Sequence, residues 1–195
     1  ALHTWPTIPV GKIAVGSGLV MASTDMFTIE IVGKGGHAAN PGAFIDPGLV
    51  AAHIVVALQS IVARELNPWE AGVVSVTRIA SGTNLNVIPD VAVLEGTFRA
   101  LDKLRRDQIA ESIERIVTAT AKSFRTTASL RLHDTGYPPL YNDPAMSEFA
   151  SAMISEHFGD AALLPVEHPY MTAEDFAFYL EKVPGAYIFL GNDKL

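Results

Sequence analysis

The chain has 195 residues, of which 49% are hydrophobic and 18% charged, and its formal net charge is −7. This composition excludes a disordered chain and predicts one large domain or two small ones, while the acidic balance disfavours non-specific binding to nucleic acid. The absence of cysteine excludes disulfides and thiolate chemistry within these residues and fits a reducing, cytoplasmic compartment. No run of 18 apolar residues occurs, so we expect no membrane span.

The central part of the chain alternates between the periodicities of strands and helices. The predicted elements are a strand at 27–31, a helix at 46–66, strands at 72–80 and 91–100, a helix at 103–124 and a strand at 128–132. The helix at 46–66 has Asp46 as its N-cap and Pro47 in its first turn. This β-α-β-β-α-β order is ferredoxin-like, with two helices on one face of a four-stranded antiparallel sheet. Glu95, Thr97 and Arg99 should point to the open face.

The flanks are too short to bury separate cores. Helices are predicted near 144–158 and 173–182 and a strand near 186–190, with Thr172 and Asp175 as a capping box for the second helix. We therefore predict an α+β protein in which a ferredoxin-like domain is inserted into a partial α/β domain. The predicted boundaries are 1–22 and 135–195 for the two pieces of the α/β domain and 23–134 for the insert.

A few polar residues could carry chemistry. His37 follows two glycines in a turn, and catalysis and turn stabilisation are about equally compatible with it. Asn84 and Asn86 lie in a long loop and fit either turn chemistry or ligand binding. Arg99 is either a solvated charge or a two-donor clamp for a carboxylate. Glu174 has no assigned role.

Five segments, taken together, resemble one family. They are 2–6 (LHTWP), 33–41 (GKGGHAANP), 84–90 (NLNVIPD), 96–99 (GTFR) and 173–176 (AEDF). They are similar to segments of the M20 metallopeptidases, specifically the amidohydrolase branch that includes hippurate hydrolase and other N-acyl-amino-acid amidohydrolases. The resemblance covers nearly the whole chain in the right order.

The resemblance implies a catalytic zinc-peptidase-like α/β domain that binds two divalent metal ions, zinc or manganese, and an inserted lid domain that forms a homodimer. It makes His3 a metal ligand and His37 a catalytic residue that reaches the partner's active site. It makes Asn86 and Arg99 substrate-binding residues. Asn86 and Arg99 are expected to face one cleft.

The other ligands and the general base of the family lie in segments that these residues do not include. We therefore expect the chain to be a fragment that is inactive alone and binds no metal stably. The predicted function of the complete protein is metal-dependent hydrolysis of the amide bond of N-acyl amino acids, with hippurate-like substrates. The alternative is a non-catalytic ferredoxin-like module for dimerisation or small-ligand binding. The helix at 46–66 is apolar around most of its circumference, which favours a second copy as its partner.

Overall fold

The computed structural model describes residues 1–193, which divide into two compact units. Residues 24–136 form the inserted unit, and residues 1–23 and 137–193 form the flanking unit. The strands are β1 Leu2–Trp5, β2 Ile13–Val15, β3 Gly18–Met21, β4 Asp25–Val32, β5 Gly36–His37, β6 Gly72–Ser81, β7 Val87–Ile88, β8 Val91–Ala100, β9 Thr127–Leu132, β10 Leu140–Asn142, β11 Leu163–Pro165 and β12 Ile188–Gly191. The helices are α1 Pro47–Ser60, α2 Lys103–Ser123, α3 Pro144–Phe158 and α4 Ala177–Leu180.

The inserted unit is an antiparallel sheet in the order β6-β8-β4-β9, with α1 and α2 packed on one face. Strand β8 lies between β4 and β6, which α1 connects, so the β-α-β unit is split as in ferredoxin-like folds. The predicted α+β class and ferredoxin-like order are confirmed. Alternation along β4 and β8 drives this packing, because every second side chain enters the core. The largest buried side chains of this core are Phe27, Ile29, Ile31, Ile54, Leu58, Ile61, Leu94, Phe98, Ile109 and Ile113.

Helix α1 begins where the Asp46 carboxylate accepts hydrogen bonds from the backbone N–H groups of Gly48 and Leu49. It continues as a π-helical turn to Glu65. Its outer face keeps exposed apolar side chains, of which Val56 is 73% exposed. By length and composition alone the segment Pro47–Glu65 is a candidate membrane span, but the core helix of a soluble protein passes the same test. The expectation of no membrane span therefore stays a prediction.

A buried ion pair joins the start of β4, where the chain enters the inserted unit, to helix α2. Both oxygens of the Asp25 carboxylate accept hydrogen bonds from the Arg106 guanidinium, each at 2.7 Å. The Asp25 residue is 5% exposed. A Cβ at Gly136 would lie 2.5 Å from Asp25 Oδ1 and 2.8 Å from the Thr24 carbonyl, so only glycine fits there without a shift. The first and last residues of the unit therefore lie close together, and the pairing of β4 with β9 joins the two ends.

The flanking unit has a mixed sheet in the order β1-β12-β2-β11, and β3 pairs with β10 beside it. The predicted helix at 173–182 is wrong at its start: only Ala177–Leu180 is helical, and no side chain caps it. The expected capping box of Thr172 and Asp175 does not form. The reason is a contact distant in sequence, since the Glu174 carboxylate accepts a hydrogen bond from the Tyr187 hydroxyl at 2.6 Å and keeps residues 172–175 as a loop.

Candidate functional site

The structure brings His37 and Asn86 together in a short two-stranded ribbon. Strand β5 pairs with β7, so that His37 lies opposite Val87. One residue further on, the Ala38 N–H donates to the Asn86 carbonyl at 3.0 Å. Two segments about 50 residues apart in sequence thus present a histidine and an asparagine at one edge of the inserted unit.

Asp90 and the glycines fix this ribbon to the sheet. The Gly35 N–H donates to Asp90 Oδ1 at 2.8 Å, and the Gly33 N–H donates to the Asp90 carbonyl at 2.6 Å. A Cβ at Gly35 would lie 2.5 Å from the Ile88 carbonyl oxygen, which belongs to the backbone and can move only with the ribbon. The close approach of the two strands therefore requires glycine at position 35.

Gly35→Ala is expected to displace the ribbon and lower kcat/KM of the full-length enzyme by about 10–100-fold, since a displacement near 1 Å at a site costs rate on that scale. Steady-state kinetics and thermal unfolding of the same samples measure the effect. Gly42→Ala is the matched control, because a Cβ there meets no atom within 4 Å. Equal activity of the two variants would contradict the role given to Gly35.

The hydrogen bonding of His37 determines which ring nitrogen can donate. Its Nδ1 accepts a hydrogen bond from the Ala39 N–H at 3.1 Å, and a backbone N–H can only donate. In the neutral ring the proton is therefore on Nε2. The side chain is exposed, so Nε2–H is available as a donor to a ligand.

Arg99 lies far from that ribbon in the same chain. It is half-buried on the open face of β8, opposite Val73 of β6. Val91, at the ribbon end of β8, is eight residues earlier, which is about 27 Å at about 3.4 Å per residue. Arg99 is at the end of the sheet where the chain enters and leaves. The expectation that Asn86 and Arg99 of one chain face one cleft is wrong, because an extended strand separates them.

His3 is exposed on β1 in the flanking unit, paired with Phe189 of β12. Its Nδ1 lies 2.6 Å from the Thr4 carbonyl oxygen, which can only accept, so Nδ1 carries the proton. The lone pair of the neutral ring is then on Nε2, which is the arrangement that a metal-ligating histidine uses. His3 and His37 thus present opposite chemistry at Nε2, a lone pair and a donor.

In the flanking unit, which also holds His3, Glu174 and Asp175 form an unequal pair. Burial raises the pKa of Glu174, but hydrogen bonds from Tyr187 and Asp175 and the charge of His3 outweigh burial and hold that pKa below its ordinary value. The hydrogen bond to Glu174, with burial and the Glu174 charge, raises the pKa of Asp175. Burial raises the pKa of Tyr187 well above its ordinary value, and the hydrogen bond to Glu174 and the charge of Glu174 raise it further. Sequence reasoning missed Tyr187, which looked like one more apolar strand residue.

The metal chemistry of this chain is limited to part of a site. Within residues 1–193 no three His, Asp or Glu side chains are grouped closely enough to hold a metal ion. His3, with its Nε2 lone pair exposed, fits as one nitrogen ligand of zinc or manganese. A catalytic site needs about three protein ligands, so further ligands would have to come from elsewhere in the protein.

Comparison with known proteins relates this chain to one family of peptidases. Residues 24–125 match the peptidase dimerisation domain of the M20 family. The chain is 38% identical to the N-acetyl-L-cysteine deacetylase of Bacillus subtilis over 193 aligned residues. The alignment covers 98% of this chain and 45% of that protein. A putative aminohydrolase from methicillin-resistant Staphylococcus aureus superposes with a TM-score of 0.84 at 32% identity, over 97% of this chain and 48% of that one.

A second solved structure is a Bacillus subtilis protein described as a dinuclear metal binding peptidase from the M20 family. It superposes with a TM-score of 0.76 at 32% identity, over 98% of this chain and 47% of that one. The chain therefore spans about half the length of the relatives that it matches.

Proposed function

Because this chain belongs to the M20 family of peptidases and amidohydrolases, we propose that the full-length protein carrying it hydrolyses the amide bond of N-acyl amino acids with the help of divalent metal ions. The observation that supports this most is the ribbon that holds His37, with a donating Nε2–H, beside Asn86. The proposed substrates include hippurate-like compounds and N-acetyl amino acids, such as the N-acetyl-L-cysteine in the name of the Bacillus subtilis relative.

Each residue has a task that its chemistry allows. The metal ions, when bound, polarise the amide carbonyl and activate water as Lewis acids. His37 donates a hydrogen bond from Nε2 to the amide oxygen as it gains negative charge, which lowers the barrier because the donor is already oriented. Arg99 binds the substrate carboxylate with its planar guanidinium, and Asn86 adds an amide donor. His3 holds one metal ion through Nε2.

A homodimer resolves the separation between Asn86 and Arg99. Strand β6 is an edge of the sheet, and α1 beside it exposes Leu49 and Val56. A two-fold axis that joins two copies of one edge strand into a single sheet runs them antiparallel. The end of one sheet that carries the ribbon then lies beside the opposite end of the sheet in the other copy. His37 and Asn86 of one subunit would meet the Arg99 end of the other, so each site would combine residues of both subunits.

The function is tested with the full-length protein, after metal removal and after reloading with Zn²⁺ or Mn²⁺. We expect metal-dependent release of the amino acid from N-acetyl and N-benzoyl amino acids, and no turnover by the 195-residue chain. A metal-loaded protein that hydrolyses none of these substrates, yet dimerises, would favour the non-catalytic dimerisation module instead.

Arg99→Ala in the full-length enzyme is expected to raise KM about 10–100-fold with little change in kcat. The carboxylate that Arg99 binds is not at the reacting carbon, so the contact is similar in the ground and transition states. The range corresponds to about 1.5–3 kcal/mol for a charge-assisted pair. Arg131→Ala is the control, since Arg131 is an exposed cation opposite Thr28 on the same sheet face. An unchanged KM for Arg99→Ala would remove Arg99 from the site.

A further inference from the structure

Glu174 is a partly buried carboxylate that the proposed mechanism does not use. Its Oε2 accepts a hydrogen bond of 2.6 Å from the Tyr187 hydroxyl. Tyr187 is 2% exposed, and its N–H donates to the side chain of Asn142, which is itself fully buried. The hydroxyl that holds Glu174 is therefore fixed by the core of the flanking unit.

The same aromatic cluster supports His3. Trp5, two residues after His3 on the same face of β1, packs edge-on against the His3 ring with centroids 6.2 Å apart. Phe189 contacts both Trp5, at 4.9 Å, and Tyr187, at 5.3 Å. One rigid group of rings thus fixes the imidazole of His3 from one side and the carboxylate of Glu174 from the other.

The charges agree with this geometry. The Glu174 carboxylate and the His3 imidazole lie within electrostatic range of each other inside the flanking unit. A glutamate side chain is ionised near neutral pH, so Glu174 carries a negative charge there. A fixed negative charge near a metal-ligating histidine stabilises a bound cation by electrostatic attraction.

We propose that Glu174 is a positioning residue of the metal centre at His3, an anion held in place by the Tyr187 hydroxyl that strengthens cation binding without ligating the metal. This inference rests on the proposed function, because it presupposes that His3 binds a metal ion. Ligation by Glu174 itself is disfavoured because its Oε2 already accepts the hydrogen bond from the Tyr187 hydroxyl.

The test measures metal affinity of the full-length protein directly, by competition of Zn²⁺ or Mn²⁺ with a chromophoric chelator, and counts bound metal ions. We expect Glu174→Gln to weaken at least one of the metal sites about tenfold while the number of ions bound at saturation is unchanged. Tyr187→Phe, which keeps the ring, should weaken it less, and adding it to Glu174→Gln should have no further effect. Glu181→Gln, an exposed carboxylate of the same unit, removes the same charge as a control.

Three outcomes would overturn the inference in a folded variant, judged by thermal unfolding of the metal-free proteins. They are wild-type affinity in Glu174→Gln, an equal loss in Glu181→Gln, and the loss of one bound ion in Glu174→Gln, which would make Glu174 a ligand. Failure of the wild-type protein to bind any divalent metal is a different result, since it contradicts the proposed function itself.

Discussion

His37→Ala in the full-length enzyme is expected to lower kcat by about two to three orders of magnitude, the usual cost of removing one oriented donor to a developing oxyanion. The side chain is exposed, so the unfolding temperature should stay near that of the wild type. Steady-state kinetics on an N-acyl amino acid measure the loss. His157→Ala, which removes another exposed histidine, should leave kcat unchanged. A His37→Ala enzyme with wild-type kcat would remove His37 from the chemistry.

Complementation shows which subunit His37 serves. His37→Ala and His3→Ala enzymes, each inactive alone, are mixed under conditions that allow subunit exchange. If His37 acts across the dimer, each heterodimer has one intact site, and random pairing restores about a quarter of wild-type activity. If subunits exchange, as tagged copies can demonstrate, and activity stays absent, His37 serves its own subunit.

Asp25→Ala is expected to destabilise the 195-residue chain by about 3 kcal/mol. The substitution removes a buried carboxylate that makes two hydrogen bonds of 2.7 Å to Arg106, and leaves a guanidinium only 30% exposed. Breaking such a pair costs more than its net contribution, because the remaining charge is desolvated. Denaturant unfolding measures the change.

The exposed pair of Arg78 and Glu95, with side chains 59% and 40% exposed, provides the comparison. Glu95→Ala should cost less than about 1 kcal/mol, since solvent screens this pair. Equal destabilisation by Asp25→Ala and Glu95→Ala would show that burial of Asp25 is unimportant.

The fold of the inserted unit could be predicted because each of its helices and strands is specified by residues close together in the sequence. Alternation along β4, the cap at Asp46 and the helical spacing of Ile109, Ile113 and Ile116 each specify one element, and the chain order then restricts the topology. Helix α2 begins at the predicted residue 103 and ends one residue before the predicted end. Periodicity over ten or more residues outweighs the local exceptions within these elements.

The ribbon of the candidate site could not be predicted in this way. Strands β5 and β7 have two residues each, too short for a period, and their register depends on Asp90 holding Gly33 and Gly35. The false start of α4 has a similar cause, because Glu174 is restrained by Tyr187, thirteen residues later. Such contacts depend on the folded chain rather than on neighbouring residues.

The closed ends of the inserted unit have a consequence for the order of folding. The flanking unit is built from two chain segments separated by the 113 residues of 24–136. Closing a flexible loop of that length would cost about 4 kcal/mol of chain entropy. Once the inserted unit has folded, the pairing of β4 with β9 holds its ends together and that cost has already been met. The inserted unit should therefore fold first, and variants that open its ends should slow the assembly of β1 and β12 in the flanking sheet.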